Sequence, residues 1–300
     1  MRASGRAGVE VAVRESATLG EGPTWDPAAG RLIWVDILGS RVHTYDPASG
    51  RRTVLATEQH VGAAKPRKDG GLVVNLRDGV GSYAPDGAFA WLHREPVPGR
   101  RGNDAAVAPD GALWAGSMAY DETPGGGNLI RLAPDGTATE VLDDVTVSNG
   151  TGWSPDGSLM YYVDTTTGRI DVFDVLDVLD VLDDVDAVGG RGEQVGGRRE
   201  LATVESGAGY PDGLTVDADG CVWVALWDGA ALRRYTPSGK LDRVVPLPVR
   251  RPTACAFGGP DLTDLYVSTA SVGLNSPSPL EGSLLVIPGA GQGLAQAAFG

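Results

Sequence analysis

The sequence predicts an all-β chain folded as a six-bladed β-propeller, and three observations carry that expectation. Composition is the first: 44 Gly and 20 Pro are spread along 300 residues rather than pooled in one linker, too many breakers for long helices. The second is a phrase that recurs six times, a short apolar strand, a Gly-containing turn and a second strand rich in Trp, Val, Leu and Tyr. The third is its period. Gly30, Gly70, Gly111, Gly157 and Gly220 close the turns of five copies at intervals of 40, 41, 46 and 63 residues, which suits one four-stranded blade per repeat.

The copies occupy residues 22–36, 62–74, 103–116, 149–163, 212–224 and 253–267. Weaker hairpin signals at 44–50, 131–136 and 234–239 supply outer strands. A ring needs closure, and Val-Glu-Val-Ala-Val at 9–13 is placed to complete the blade begun by Ser-Leu-Leu-Val-Ile at 283–287, removing an exposed edge. Residues 1–300 then form a single domain with one insertion around 174–197, acidic and low in complexity at first and Gly-rich afterwards. Its acidic part is expected as an extended outer strand leading into a loop.

With 42% hydrophobic residues the chain can bury a sizeable core. Its formal net charge of −14 argues against nucleic acid, whose affinity comes from clustered Lys and Arg. A small neutral or cationic partner fits better. Cys221 and Cys255 are too few for a disulfide framework and read as buried thiols. The first ten residues lack an apolar core of the signal-peptide kind, and no run of about 18 apolar residues occurs. The expectation is therefore a cytoplasmic protein with no membrane association, a monomer or weak oligomer. His43, His60 and His93 are scattered without a nucleophile context, so a catalytic triad is not expected.

Polar residues interrupt the pattern at one register. The innermost strand of each blade lines the central channel, so equivalent residues look at one level of it. Counting back eight residues from the turn glycines gives Gly62, Asn103, Asn149 and Asp212, and Glu21 stands nine before Gly30. Converging carboxylate and amide oxygens form a hard ligand set suited to Ca²⁺, Mg²⁺ or Mn²⁺ and less typical of structural Zn²⁺. Pro-Asp-Gly recurs from Pro85, Pro109, Pro134, Pro155 and Pro211. Four of these are read as turns, and the fifth leaves Asp212 at the start of a strand.

Leu19-Gly-Glu-Gly-Pro23, Arg101-Gly-Asn-Asp104, Ser148-Asn-Gly150, Tyr210-Pro-Asp-Gly213 and Thr253-Ala-Cys-Ala-Phe-Gly-Gly259 resemble, in order and spacing, the gluconolactonase, regucalcin and senescence marker protein family. The resemblance spans nearly the whole chain. It implies a six-bladed propeller holding one divalent metal ion, Ca²⁺, Zn²⁺, Mn²⁺ or Mg²⁺, on Glu21, Asn149 and Asp212. Arg101 matches a substrate-contacting Arg, Asn103 a motif position near the metal, and Asp121 or Glu122 an acidic residue that touches sugar hydroxyls. Gly62 and Gly102 are expected to leave room in the pocket. The implied reaction is metal-dependent hydrolysis of a small-molecule sugar lactone, with Asp212 as general base. Two alternatives share the scaffold: a non-catalytic calcium-binding protein, and a metal-free interaction platform.

Overall fold

The computed structural model of the chain describes residues 8–176 and 194–300, and the period of about forty residues becomes six four-stranded antiparallel sheets. The inner strands are Gly20–Asp26, Val61–Pro66, Arg100–Val107, Ser148–Trp153, Tyr210–Val216 and Pro252–Gly258. Each touches the next, and the first touches the last, so the sheets close into a ring of six blades. Burial falls outward within a blade. In the first, Gly20–Asp26 is buried throughout, whereas the outermost strand Arg52–Ala56 is largely exposed.

Local chemistry explains the turns. Gly30, Gly70, Gly111, Gly157 and Gly220 all carry left-handed φ values between 63° and 87°, a conformation that only Gly adopts freely. Gly87 and Gly136 share it in their Pro-Asp-Gly turns, but Gly213 does not. The fifth Pro-Asp-Gly is strand, and Asp212 lies inside it.

Blades pack face to face through second-strand aromatics. Trp34, Trp114 and Trp223 are fully buried. Trp114 meets Trp153 of the next blade edge-on at 5.9 Å, and Trp223 meets Phe257 at 6.2 Å, the geometry that ring quadrupoles favour. Cys221 and Cys255 are buried free thiols in this packing.

The ring closes as the termini suggested. Glu10–Val13 pairs antiparallel with Leu284–Ile287, Val11 opposite Leu285, as the outer strand of the sixth blade. In the fourth blade Arg169–Leu176 pairs with Gln194–Thr203, setting Val175 opposite Val195. Residues 174–176 and 194–197 of the expected insertion are therefore strand residues, and 177–193 lie outside the described residues. Among the described residues, no helix is long and apolar enough to cross a membrane.

The closing pair joins the two ends of the sequence, so one short strand completes the ring. Deleting residues 1–13 should lower the thermal midpoint by roughly 10 °C and expose the edge of Leu284–Ile287 to intermolecular pairing. Calorimetry and light scattering would check this, and an unchanged midpoint would show that the sixth blade is stable with three strands.

Candidate functional site

Every inner strand loses its pairing register at the same level of the ring. The shifts fall between Glu21 and Thr24, Val61 and Ala63, Gly102 and Ala105, Ser148 and Thr151, Pro211 and Leu214, and Pro252 and Ala254. A bulge of this kind bends a strand and re-aims its side chains. Here it buries Glu21, Asn103, Asn149 and Asp212 at one end of the channel. The glycines beside them serve close approach of the blades. A Cβ on Gly150 would lie 2.6 Å from the Leu214 nitrogen, one on Gly62 would collide with the Asn103 carbonyl oxygen, and one on Gly102 would lie 2.6 Å from the Leu76 carbonyl oxygen. Gly62 and Gly102 thus pack one blade against the next and do not widen a pocket, a correction to the sequence reading.

Two aspartates hold the loops that enter the site. Asp36 accepts hydrogen bonds from the Thr18 and Leu19 amides at 3.1 and 3.0 Å. Asp164 does the same for Thr146 and Val147 at 3.1 and 3.0 Å. In each case the pinned amide lies two residues before a site residue, Glu21 or Asn149.

Asn149 donates from Nδ2 to Asp212 Oδ1 and, at 3.0 Å, to Thr165 Oγ1. Its Oδ1 is buried without a hydrogen-bond partner, an arrangement that ordinarily costs about 1–3 kcal/mol. Burial pushes the Glu21 carboxyl well above the usual carboxylate range, and the charges of Asp212 and Asp104 push it the same way. Burial and Asp104 raise Asp212 similarly. An orphaned amide oxygen on the residue that holds Asp212, together with two buried carboxylates that repel each other, fits a hard divalent cation. Among the described residues, no three His, Cys, Asp or Glu side chains gather as a metal cluster. The donor set here is two carboxylates and an amide.

Arg101 is buried and donates from Nη1 to Asn103 Oδ1 at 2.7 Å and to the Gly102 carbonyl at 3.0 Å. Asn103 passes the contact on, donating from Nδ2 to the Ser148 carbonyl at 2.8 Å. Burial lowers the Arg101 pKa, while Tyr120, Glu21, Asp212 and Glu122 support its charge. The two acidic candidates differ. Asp121 is exposed and accepts from the Thr123 amide and hydroxyl at 3.1 and 2.7 Å, which holds its carboxyl below the usual range. Glu122 sits at φ 56°, a strained value for a side chain of its size, and its charge acts on Arg101.

Residues 19–271 match the family described as SMP-30/Gluconolactonase/LRE-like region. The chain belongs to this family. Regucalcin of Xenopus laevis is 32% identical, over 97% of this chain and 98% of that protein. The 6-deoxy-6-sulfogluconolactonase of Pseudomonas putida is 33% identical, over 86% of this chain and 85% of that protein. The crystal structure of a calcium-binding protein, regucalcin, from Agrobacterium tumefaciens superposes with a TM-score of 0.89 at 28% identity, covering 98% of this chain and 97% of that one.

Four residues near the site escaped the sequence reading. Asp104 lines the channel although it adjoins Asn103, because the bulge suspends the alternation of side chains there. Lys65 lines the same cavity of about 530 Å³ and donates from Nζ to Thr24 Oγ1 at 2.7 Å. Burial raises the carboxyl of Asp104 and lowers the amine of Lys65, and each offsets the other's shift. Tyr120 and His60 meet at the mouth through a 2.7 Å hydrogen bond. The one signal for Asp104 was its place in Arg101-Gly-Asn-Asp104. The other three had none.

The raised carboxyls have a stability consequence. Stability contributed by groups whose folded pKa is raised is present below about pH 4, the unfolded value, and is lost as the pH rises through the folded value. Glu21→Gln should therefore raise the thermal midpoint of the metal-free protein near neutral pH by about 2–5 °C, and should abolish the rise that added divalent cation is expected to give the parent. A cation-induced rise equal to the parent's would remove Glu21 from the site.

Proposed function

We propose that this chain is a metal-dependent sugar lactonase, converting an aldonolactone to its aldonic acid, with one divalent cation held by Glu21, Asn149 and Asp212. The observation that carries this reading is the unpartnered Oδ1 of Asn149, whose Nδ2 holds the buried Asp212 carboxylate, which in turn acts on the buried carboxyl of Glu21. The lactonase activity named for the Pseudomonas putida relative supports it.

When bound, the cation supplies Lewis acidity to the lactone carbonyl oxygen. Asp212 accepts the proton of the attacking water at its carboxylate. The Asn149 amide engages one oxygen of that carboxylate and fixes its plane. Arg101 donates through Nη1 to protein oxygens and keeps its remaining donors for ring hydroxyls or the carbonyl. Asn103, engaged at both ends of its amide, holds Arg101 in that orientation. Glu122 accepts from sugar hydroxyls beside Arg101, while Asp121 stays with its own turn.

A second reading, a non-catalytic cation-binding protein, draws on the calcium-binding description of the Agrobacterium tumefaciens protein. Turnover separates the two. A panel of aldonolactones crossed with Ca²⁺, Mg²⁺, Mn²⁺ and Zn²⁺, read as proton release, should show metal-dependent hydrolysis; tight cation binding without acid release on any lactone would favour the binder. At saturating metal, Asp212→Asn should lower turnover per metal-loaded site by about 10²–10⁴-fold, the usual range for a lost general base. Arg101→Ala should lower it with metal content unchanged. A metal-loaded Asp212→Asn protein acting at the parental rate would leave Asp212 as a ligand at most.

A further inference from the structure

Tyr120 follows the strand Leu113–Ala119 and His60 precedes Val61–Pro66, so both stand where two neighbouring blades reach the mouth of the channel. Tyr120 is 43% exposed, yet three contacts fix it. Its hydroxyl shares a 2.7 Å hydrogen bond with His60 Nδ1, its ring meets the imidazole edge-on with centroids 5.7 Å apart, and Arg101 Cζ lies 6.0 Å from its ring centroid. The backbones are tied as well, Tyr120 N donating to the Gly99 carbonyl at 2.9 Å and the His60 carbonyl accepting from Arg77 N at 3.0 Å. A large exposed aromatic ordinarily turns freely at little cost. This one is held in place beside the residue that binds substrate in the reading above.

We propose that the Tyr120–His60 pair is a sugar-ring subsite of this chain, with Tyr120 as the platform against which the lactone's C–H face packs and His60 as the residue that fixes the platform. The inference rests on the lactonase reading and narrows its substrate class. A ring with one apolar C–H face and several hydroxyls would meet the Tyr120 ring on one side and the donors of Arg101 and the carboxylate of Glu122 at its rim. An unsubstituted lactone keeps the carbonyl but has no hydroxyl to donate to Glu122 or to accept from the further donors of Arg101, and leaves those polar groups without new partners. The imidazole suits its role because it is uncharged near neutral pH: burial and the charges of Arg101 and Arg77 hold the His60 pKa down, opposed only by Asp36. A neutral ring can accept the phenolic proton, whereas a protonated one could not at Nδ1.

The test compares D-glucono-1,5-lactone with δ-valerolactone on the metal-loaded protein. Tyr120→Ala should raise KM for the gluconolactone by about tenfold, the scale of one lost stacking contact, with kcat within about threefold of the parent. It should affect δ-valerolactone less. Tyr120→Phe keeps the ring and should fall between the two, and His60→Gln should resemble it. A general structural role for Tyr120 would instead lower kcat for both lactones together, and that outcome, or an unchanged KM in Tyr120→Ala, would overturn the subsite. Absence of turnover by the parent on any lactone would overturn the lactonase reading itself, which separates the two failures.

Discussion

All six inner strands break their pairing at one level of the ring, and the site depends on that shared break. An unbroken strand alternates its side chains between two faces, so it could present only every second residue to the channel. The bulge releases two consecutive residues from that rule. Asn103 and Asp104 both face inward for this reason, one into the mouth and one into the cavity beneath. At the same level the blades come together closely, which the glycines at 62, 102 and 150 permit by having no Cβ to meet a neighbouring backbone. Close packing and site geometry are one constraint here.

That convergence gathers charge where water is scarce. Glu21, Asp104 and Asp212 share the interior of one ring, with Arg101 toward the mouth and Lys65 deeper in the channel. In a low-dielectric channel like charges are costly and opposite charges strengthen one another. The two buried cations offset part of the carboxylate repulsion. Left unneutralised, the arrangement is a poor one for stability, a cost that functional sites commonly carry.

The rim is built differently. Asp36 and Asp164 use backbone amides to fix the loops ahead of Glu21 and Asn149, so the mouth inherits rigidity from the second strands of the blades. Arg101 is held by Asn103, and Asn103 by the Ser148 carbonyl of the next blade. The Arg101 guanidinium is thereby referred to the same ring that holds the carboxylates. Glu122, strained into the left-handed region, lies in a turn that its neighbour Asp121 stabilises, and its charge supports that of Arg101.

Much of this was legible in the sequence. The period of the turn glycines, their need for left-handed φ, and the fit of the two terminal strands are local or repetitive properties, and they determined the six blades, their closure and the register of Glu21, Asn103, Asn149 and Asp212. The Pro-Asp-Gly at 211 could be told from its four copies because Asp219-Gly220 already supplied the turn. What only the tertiary structure decided were contacts between blades. Lys65 reaches Thr24 across 41 residues and His60 reaches Tyr120 across 60, and no local pattern marks either pair. Gly62 and Gly102, read as space for substrate, proved to be points of backbone approach, because the absence of a side chain looks the same in sequence whether it faces a cavity or a neighbouring strand.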